Sequence, residues 1–197
     1  TVLRIKQRGI ATIVVEELQY PNSFEPRFRY NWLKIRAWEL DYDAILLVDT
    51  DTVVVSDISH LFNLPTRFAA VEDQVNRMQE WKYPRGVRML QGGVLFIRPC
   101  VEVAKHMEML LEENTLLQFP TGNAEQEFFS WYFRHEAIIL PRRYNVLLAS
   151  LDTVHDDRPV IVHYTSHKPF KKFWGPIGPE RYLCTESQVV AGRRLVR

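Results

Sequence analysis

Two carboxylates at the end of an apolar segment are the first residues whose types and spacing suggest chemistry. Asp49 and Asp51 flank Thr50 directly after the run Ala44–Val48. Two carboxylates this close repel each other and lose hydration unless a cation neutralises them. Their oxygens suit Mg²⁺ or Mn²⁺, particularly a metal shared with a diphosphate. A solvated Asp-x-Asp turn is the competing interpretation, but the apolar run before the pair favours a metal site.

A histidine and a lysine near the carboxyl end of the chain form the second candidate group. His163 follows the β-branched run 160–162, and a neutral imidazole is a suitable third ligand for Mn²⁺. Lys168 stands five residues later, directly before a proline. Its ammonium group is able to neutralise phosphate charge. The alternatives are a structural histidine and a solvated lysine in a basic tail.

Three further features are ambiguous when taken singly. Gly92 and Gly93 precede an apolar strand and allow a ligand to approach the backbone, but they are equally typical of a bulge or turn. Glu125 and Gln126 begin a predicted helix, where a carboxylate also acts as a cap. Lys34 lies inside a predicted helix, a position typical of an exposed lysine.

The elements that must position these residues alternate between strands and helices. We predict strands over 10–15, 44–48, 52–55, 68–71, 92–97, 138–140 and 160–162. We predict helices over 2–7, 31–40, 101–113 and 124–133, and a long loop over 72–88. Several strands are apolar throughout, which is typical of strands covered on both faces. The alternation predicts an α/β fold with a largely parallel sheet. In such folds ligands bind beyond the carboxyl ends of the strands, where Asp49 and Asp51 stand.

Composition limits the classes of function. The 197 residues suit one domain, and 46% hydrophobic and 25% charged residues exclude a disordered chain. The 25 Lys and Arg residues against 24 Asp and Glu residues give a net charge of +1, so no strong field attracts nucleic acid. No apolar run approaches the roughly 20 residues of a membrane-spanning helix. We predict a single domain over 1–197 with an irregular tail over 176–197.

In their order along the chain, these features resemble glycosyltransferase family 8, the glycogenin-like retaining sugar transferases with a GT-A fold. The resemblance covers the chain from its first residue to about residue 175. Besides the groups above, it includes a Leu-Pro…Tyr-Asn segment at 140–145 and the spacing of five from His163 to Lys168. That spacing is closest to the plant glucuronyltransferase-like and fungal branches of the family.

The resemblance implies a mixed, mostly parallel GT-A sheet and an Mn²⁺-dependent retaining hexosyltransferase that uses UDP-glucose or a related UDP-sugar. Asp49, Asp51 and His163 would bind Mn²⁺, with Mg²⁺ as the alternative, and the acceptor would be a carbohydrate or protein hydroxyl. The implied substrate-binding and catalytic residues are Lys34, Gln91, Gly92 and Gly93 at the donor sugar, Glu125 and Gln126 near the anomeric carbon, and Lys168 and Ser166 at the phosphates.

The sequence also departs from the family pattern. Gln91, Glu125, Ser166 and Phe170 stand where the family has Asn, Asp, Gly and Trp. The strand and helix that hold uracil and ribose have no counterpart before Thr1, so we expect an N-terminally incomplete domain. A non-catalytic glycosyltransferase-like module that binds sugar or nucleotide is therefore the second hypothesis. A metal-dependent phosphohydrolase using the same carboxylates is the third.

Overall fold

The computed structural model describes residues 6–7, 9–18, 26–73, 87–112, 124–148, 158–165 and 189–193. The strands are β1 (Ala44–Val48), β2 (Thr52–Val54), β3 (Phe68–Glu72), β4 (Leu90–Ile97), β5 (Ile138–Leu140), β6 (Val146–Leu147), β7 (Ile161–His163) and β8 (Val189–Arg193). The helices are α1 (Val101–Glu112), α2 (Ala124–Tyr132) and three 3-10 helices, Pro26–Glu39, Ser59–Asn63 and Arg142–Tyr144. The elements predicted between residues 31 and 163 are therefore confirmed in type, with boundaries shifted by a few residues.

The central sheet has five strands in the order β5-β3-β4-β1-β8. Only β3 and β5 run parallel in it, whereas β3–β4, β4–β1 and β1–β8 are antiparallel. The mixed α/β architecture is confirmed, but the mostly parallel sheet is wrong for the described strands. An apolar run indicates that both faces of a strand are covered, but it does not indicate whether the neighbouring strands run parallel or antiparallel to it.

Both faces of the central sheet are covered by apolar side chains. Ile45 and Leu47 of β1 face a core formed with the Pro26–Glu39 helix, α1 and α2. Leu46 and Val48 face the opposite core, which includes residues of the Ser59–Asn63 helix and of β7. This two-sided burial explains why the β1 sequence is apolar at every position.

A second, three-stranded sheet joins the end of β1 to the carboxyl-terminal half of the chain. Its order is β2-β7-β6, with β2 antiparallel and β6 parallel to β7. Three residues separate the carboxyl end of β1 from the start of β2, and β2 pairs Thr52 with His163. This pairing brings the turn that contains Asp49 close to His163, although the two residues are far apart in the sequence.

Two sequence predictions at the ends of the chain differ from the structure. The predicted strand 10–15 is wrong: these residues form no strand, and Val14 is 96% exposed. A β-branched run becomes a strand only where another strand pairs with it, and none of the described strands does so. Conversely, residues 189–193, within the predicted irregular tail, form β8 and pair with β1.

Some predictions fall on residues that the structure does not describe. They are most of the 2–7 helix, most of the 72–88 loop, and the rest of the 176–197 tail. Within the described ranges, the helices are too short or too polar to cross a bilayer.

Candidate functional site

Two carboxylates and one imidazole lie together where β1 ends and β7 ends. One ligand atom from each of Asp49, Asp51 and His163 can be chosen so that all three lie within 4.8 Å of one another. His163 Nε2 is 3.2 Å from Asp51 Oδ1 and 3.9 Å from Asp49 Oδ2. The structure thus brings together all three residues predicted as metal ligands.

Local backbone pairing places the two carboxylates. The Asp49 carbonyl accepts hydrogen bonds from the Thr52 amide (3.1 Å) and the Thr52 hydroxyl (2.7 Å), which closes a tight turn. The Asp49 amide donates to the Gly93 carbonyl on β4 at 2.9 Å, and the Tyr164 amide donates to the Asp51 carbonyl at 2.8 Å. The turn is therefore tied on one side to the central sheet and on the other to the segment that carries His163.

The imidazole of His163 is buried and held by a buried amide. Its Nδ1 lies 3.0 Å from Oδ1 of Asn145. An amide oxygen only accepts hydrogen bonds, so this contact places the imidazole proton on Nδ1. The other ring nitrogen, Nε2, faces Asp49 and Asp51.

The arrangement fits a divalent cation. Two anionic oxygens and a lone pair facing one another repel unless a cation or a proton lies among them. In an octahedral site with metal–ligand distances of about 2.1 Å, neighbouring ligand atoms lie about 3 Å apart. The separation of 3.2 Å between His163 Nε2 and Asp51 Oδ1 matches that spacing. Mixed carboxylate and imidazole donors suit Mn²⁺ and tolerate Mg²⁺.

Lys34 is not the exposed helical lysine that its sequence position suggests, because its side chain is 3% exposed. Its Nζ lies 3.2 Å from Asp49 Oδ1 and 3.1 Å from Glu125 Oε1, and it donates to the Gly92 carbonyl at 3.0 Å. Burial by itself lowers the pKa of Lys34, but the carboxylates of Asp49 and Glu125 outweigh it and hold that pKa above its ordinary value. A protonated lysine thus links the metal-ligand turn to the start of α2.

The start of α2 is fixed against β4 and the Pro26–Glu39 helix. Glu125 is buried and accepts a hydrogen bond from Asn31 Nδ2 at 3.2 Å in addition to its contact with Lys34. The Gln126 side-chain oxygen accepts from the Gly92 amide at 3.0 Å. Glu125 and Gln126 are therefore parts of a hydrogen-bonded cluster, which goes beyond a helix cap.

The two glycines of β4 leave space for these side chains. A Cβ on Gly92 would lie 2.9 Å from Glu125 Oε1 and 3.2 Å from Lys34 Nζ. A Cβ on Gly93 would lie 2.5 Å from Nδ1 of His163 and closer still to its Cε1. The sequence did not predict that Gly93 makes room for the candidate metal ligand itself.

Gln91 lies in the same part of β4, and its side chain is buried. Its Oε1 has no hydrogen-bond partner among the residues that the structure describes. Lys168 and Ser166 lie outside the described residues, so their predicted roles remain predictions.

Two members of the site were not predicted as functional from the sequence, namely Asn31 and Asn145. Both belong to segments that carry the resemblance. An asparagine at a loop or helix position is too common to indicate a role without the spatial contact.

Comparison with known proteins gives consistent matches. The family model described as Glycosyl transferase family 8 matches residues 4–177. Galactinol synthase 1 of Solanum lycopersicum is 30% identical over 174 residues, which is 79% of this chain and 52% of that protein. A protein of Arabidopsis thaliana named putative UDP-glucuronate:xylan alpha-glucuronosyltransferase 5 is 24% identical over 80% of this chain and 26% of its own length. The chain thus spans about half, or less, of these relatives.

Solved structures with the same fold are more distant in sequence. The galactosyltransferase LgtC, determined in complex with donor and acceptor sugar analogs, superposes with a TM-score of 0.58 at 16% identity, over 83% of this chain and 68% of LgtC. The glycosyltransferase GlyE of Streptococcus pneumoniae gives a TM-score of 0.54 at 19% identity, over 83% of this chain and 42% of GlyE. The structural neighbours are GT-A glycosyltransferases, which confirms the predicted fold class.

Proposed function

Because the chain belongs to glycosyltransferase family 8, we propose that it is a metal-dependent retaining glycosyltransferase. It would transfer a hexosyl group from a UDP-sugar to an acceptor hydroxyl, as one catalytic domain. The observation that carries this proposal is the cluster of Asp49, Asp51 and His163 beside the buried Lys34–Glu125 pair. A solvated turn would need neither a buried lysine nor a buried imidazole.

Asp49, Asp51 and His163 would hold Mn²⁺, or Mg²⁺ in its place. When bound, the cation neutralises diphosphate charge and stabilises the negative charge that develops on departing UDP. Lys168 and Ser166 are proposed to contact the same phosphates, where the lysine ammonium adds a second positive charge.

The donor sugar is proposed to lie against Gln91, Gly92 and Lys34. The buried Gln91 Oε1, which has no partner within the described ranges, supports this position, because a sugar hydroxyl would supply a donor. Glu125 and Gln126 would lie near the anomeric carbon. A carboxylate there stabilises the positive charge that develops on the sugar in the transition state. Lys34 contacts both Asp49 and Glu125, so it would set the distance between the two charged ends of the site.

The relatives' names guide the choice of donors to test. These relatives are named galactinol synthase and putative UDP-glucuronate:xylan alpha-glucuronosyltransferase, and a structural neighbour is a galactosyltransferase. UDP-glucose, UDP-galactose and UDP-glucuronate therefore form the first donor panel, with UDP-glucose as the expected substrate.

A UDP-release assay across this panel tests the proposal. We expect the chain to release UDP with Mn²⁺ and to stop when the metal is chelated. Asp51→Asn should lose this activity, because an amide oxygen carries no negative charge for the cation. Asp57→Asn, which changes an exposed carboxylate six residues along the chain, is the matched control and should stay active. Metal-independent sugar binding without UDP release would instead support a non-catalytic binding module.

A further inference from the structure

Asn145 contacts the candidate metal ligand His163 and is almost fully enclosed. It follows the Arg142–Tyr144 helix, is 1% exposed, and its Oδ1 lies 3.0 Å from His163 Nδ1. Its Nδ2 is buried and has no hydrogen-bond partner in the described part of the chain. Within the described residues, the side chain thus keeps one amide donor unsatisfied while its oxygen contacts the imidazole.

That arrangement is costly for a purely structural residue. A buried donor without a partner loses its hydration and gains nothing in return, so an apolar side chain of similar shape would fit more favourably. The amide oxygen is the part of Asn145 with a partner, and this partner is a candidate metal ligand. The structure therefore connects Asn145 to the chemistry of His163 more closely than to the packing of the core.

The direction of the hydrogen bond decides which imidazole nitrogen is available. A neutral imidazole carries one proton, and an untethered ring distributes it between Nδ1 and Nε2. Because the Asn145 oxygen can only accept, it keeps a proton on Nδ1 and turns Nε2, the nitrogen left for a cation, toward Asp49 and Asp51.

The β4 backbone packs closely beside the same contact. Gly93 of β4 lies so close that a Cβ there would reach 2.5 Å from His163 Nδ1 and 3.4 Å from Asn145 Nδ2. The β4 backbone and the amide thus both pack against the Nδ1 edge of the imidazole, which restricts the movement of the ring.

We propose that Asn145 is a positioning residue that keeps a proton on Nδ1 of His163 and so turns Nε2 toward Asp49 and Asp51, where a divalent cation would bind. The cation itself rests on the proposed function, but the hydrogen bond between Nδ1 and Asn145 is a property of this chain without metal. Amide or carboxylate partners of metal-binding histidines affect metal affinity by about 10–100-fold in other proteins.

The test combines two readouts on wild type, Asn145→Leu and Asn145→Asp. Nitrogen NMR of the metal-free chain, with histidine labelled and the His163 signals assigned from a His163→Asn variant, reports whether Nδ1 carries a proton. Titration with Mn²⁺ followed by electron paramagnetic resonance reports the affinity. We expect a proton on Nδ1 in wild type and Asn145→Asp, and its partial loss from Nδ1 in Asn145→Leu. Mn²⁺ should bind about 10–100-fold more weakly to Asn145→Leu than to wild type.

Urea unfolding of the metal-free variants separates positioning from packing. Asn145→Leu removes a donor that has no partner among the described residues, but it also leaves the Nδ1 proton of His163 without its acceptor, so its unfolding midpoint should stay close to that of wild type while its Mn²⁺ affinity falls. A lower midpoint with unchanged Nδ1 protonation and unchanged affinity would overturn the proposal, as would a wild-type ring without a proton on Nδ1. If wild type fails to bind Mn²⁺, the proposed function fails, and the protonation of Nδ1 still decides the role of Asn145.

Discussion

Lys34 shows at the scale of one residue how the site depends on charge balance. Its buried ammonium group contacts a candidate metal ligand, Asp49, and a candidate catalytic carboxylate, Glu125. Without that cation, two carboxylates in a largely dehydrated cluster would lack compensation. The lysine therefore stabilises the site even before a donor or a metal binds.

Replacing Lys34 with methionine should destabilise the fold. Removing one partner of a buried ion pair costs about 3–5 kcal/mol, because the other charge stays buried without a partner. The free energy of unfolding, measured in urea, is the readout. Lys105→Met, at an exposed position of α1, is the control and should stay within about 0.5 kcal/mol of wild type.

A second substitution distinguishes charge from shape at the same position. The double variant Lys34→Met/Glu125→Gln should recover part of the lost stability, since it removes one of the uncompensated carboxylates. If Lys34→Met unfolds at the same urea concentration as Lys105→Met, the lysine is not the counter-ion that the geometry describes.

Residue type, position and the family resemblance predicted the candidate metal ligands, but they did not predict every neighbour of those ligands. Asp49, Asp51 and His163 have chemistry that is recognisable from type and position at strand ends, and the structure brings them together. The burial of Lys34 and the contacts of Asn31 and Asn145 depend on how distant segments meet. Hydrophobic periodicity places a helix or strand, but it does not say which polar side chains will face one another.

β4 shows at the scale of an element how backbone proximity shapes the site. Its Gly92 and Gly93 lie between α2 on one side and the His163 segment on the other. Neither glycine has a positive φ, so the requirement is space. A strand this crowded can hold only hydrogen at those two Cα atoms without displacing a site residue.

Substituting alanine for Gly93 should displace the His163 ring. Forcing a methyl group into this space costs about 1–3 kcal/mol, and the ring movement should also weaken Mn²⁺ binding. Urea unfolding and Mn²⁺ titration measure the two effects. In the double variant Gly93→Ala/His163→Ala the methyl group has room, so the stability loss should be smaller than the sum of the two single losses. Strict additivity would show that Gly93 and His163 do not contact each other.

The elements themselves were predictable to different degrees. β1, β3 and β4 have apolar or β-branched sequences and strand neighbours on both sides, so pattern and structure agree. The run 10–15 has the same composition but no paired strand among the described residues, and it stays exposed. β8 was missed because its short sequence lies in a region rich in proline and charge, and its strand character comes from pairing with β1. Strand direction is likewise a property of the whole sheet.

At the scale of the whole molecule, two sheets meet at one charged site. The central sheet supplies Asp49 and the β4 glycines, and the smaller sheet supplies His163. The Pro26–Glu39 helix contributes Lys34 and Asn31, and α2 contributes Glu125. The net charge of +1 conceals this concentration of opposite charges. Family 8 membership and the GT-A fold agree with a site assembled in this way.

The most direct test of the account is metal-dependent binding of UDP, measured by calorimetry on wild type, Asp51→Asn and Asp57→Asn. We predict that wild type and Asp57→Asn bind UDP in the presence of Mn²⁺ and lose that binding when the metal is chelated. Asp51→Asn should bind UDP more weakly than wild type in the presence of Mn²⁺. The loss of affinity should exceed the roughly 10–100-fold that is typical when a residue that only contacts a metal ligand is removed. Equal UDP binding by Asp51→Asn and wild type, with or without Mn²⁺, would contradict the assignment of Asp49, Asp51 and His163 as the metal centre.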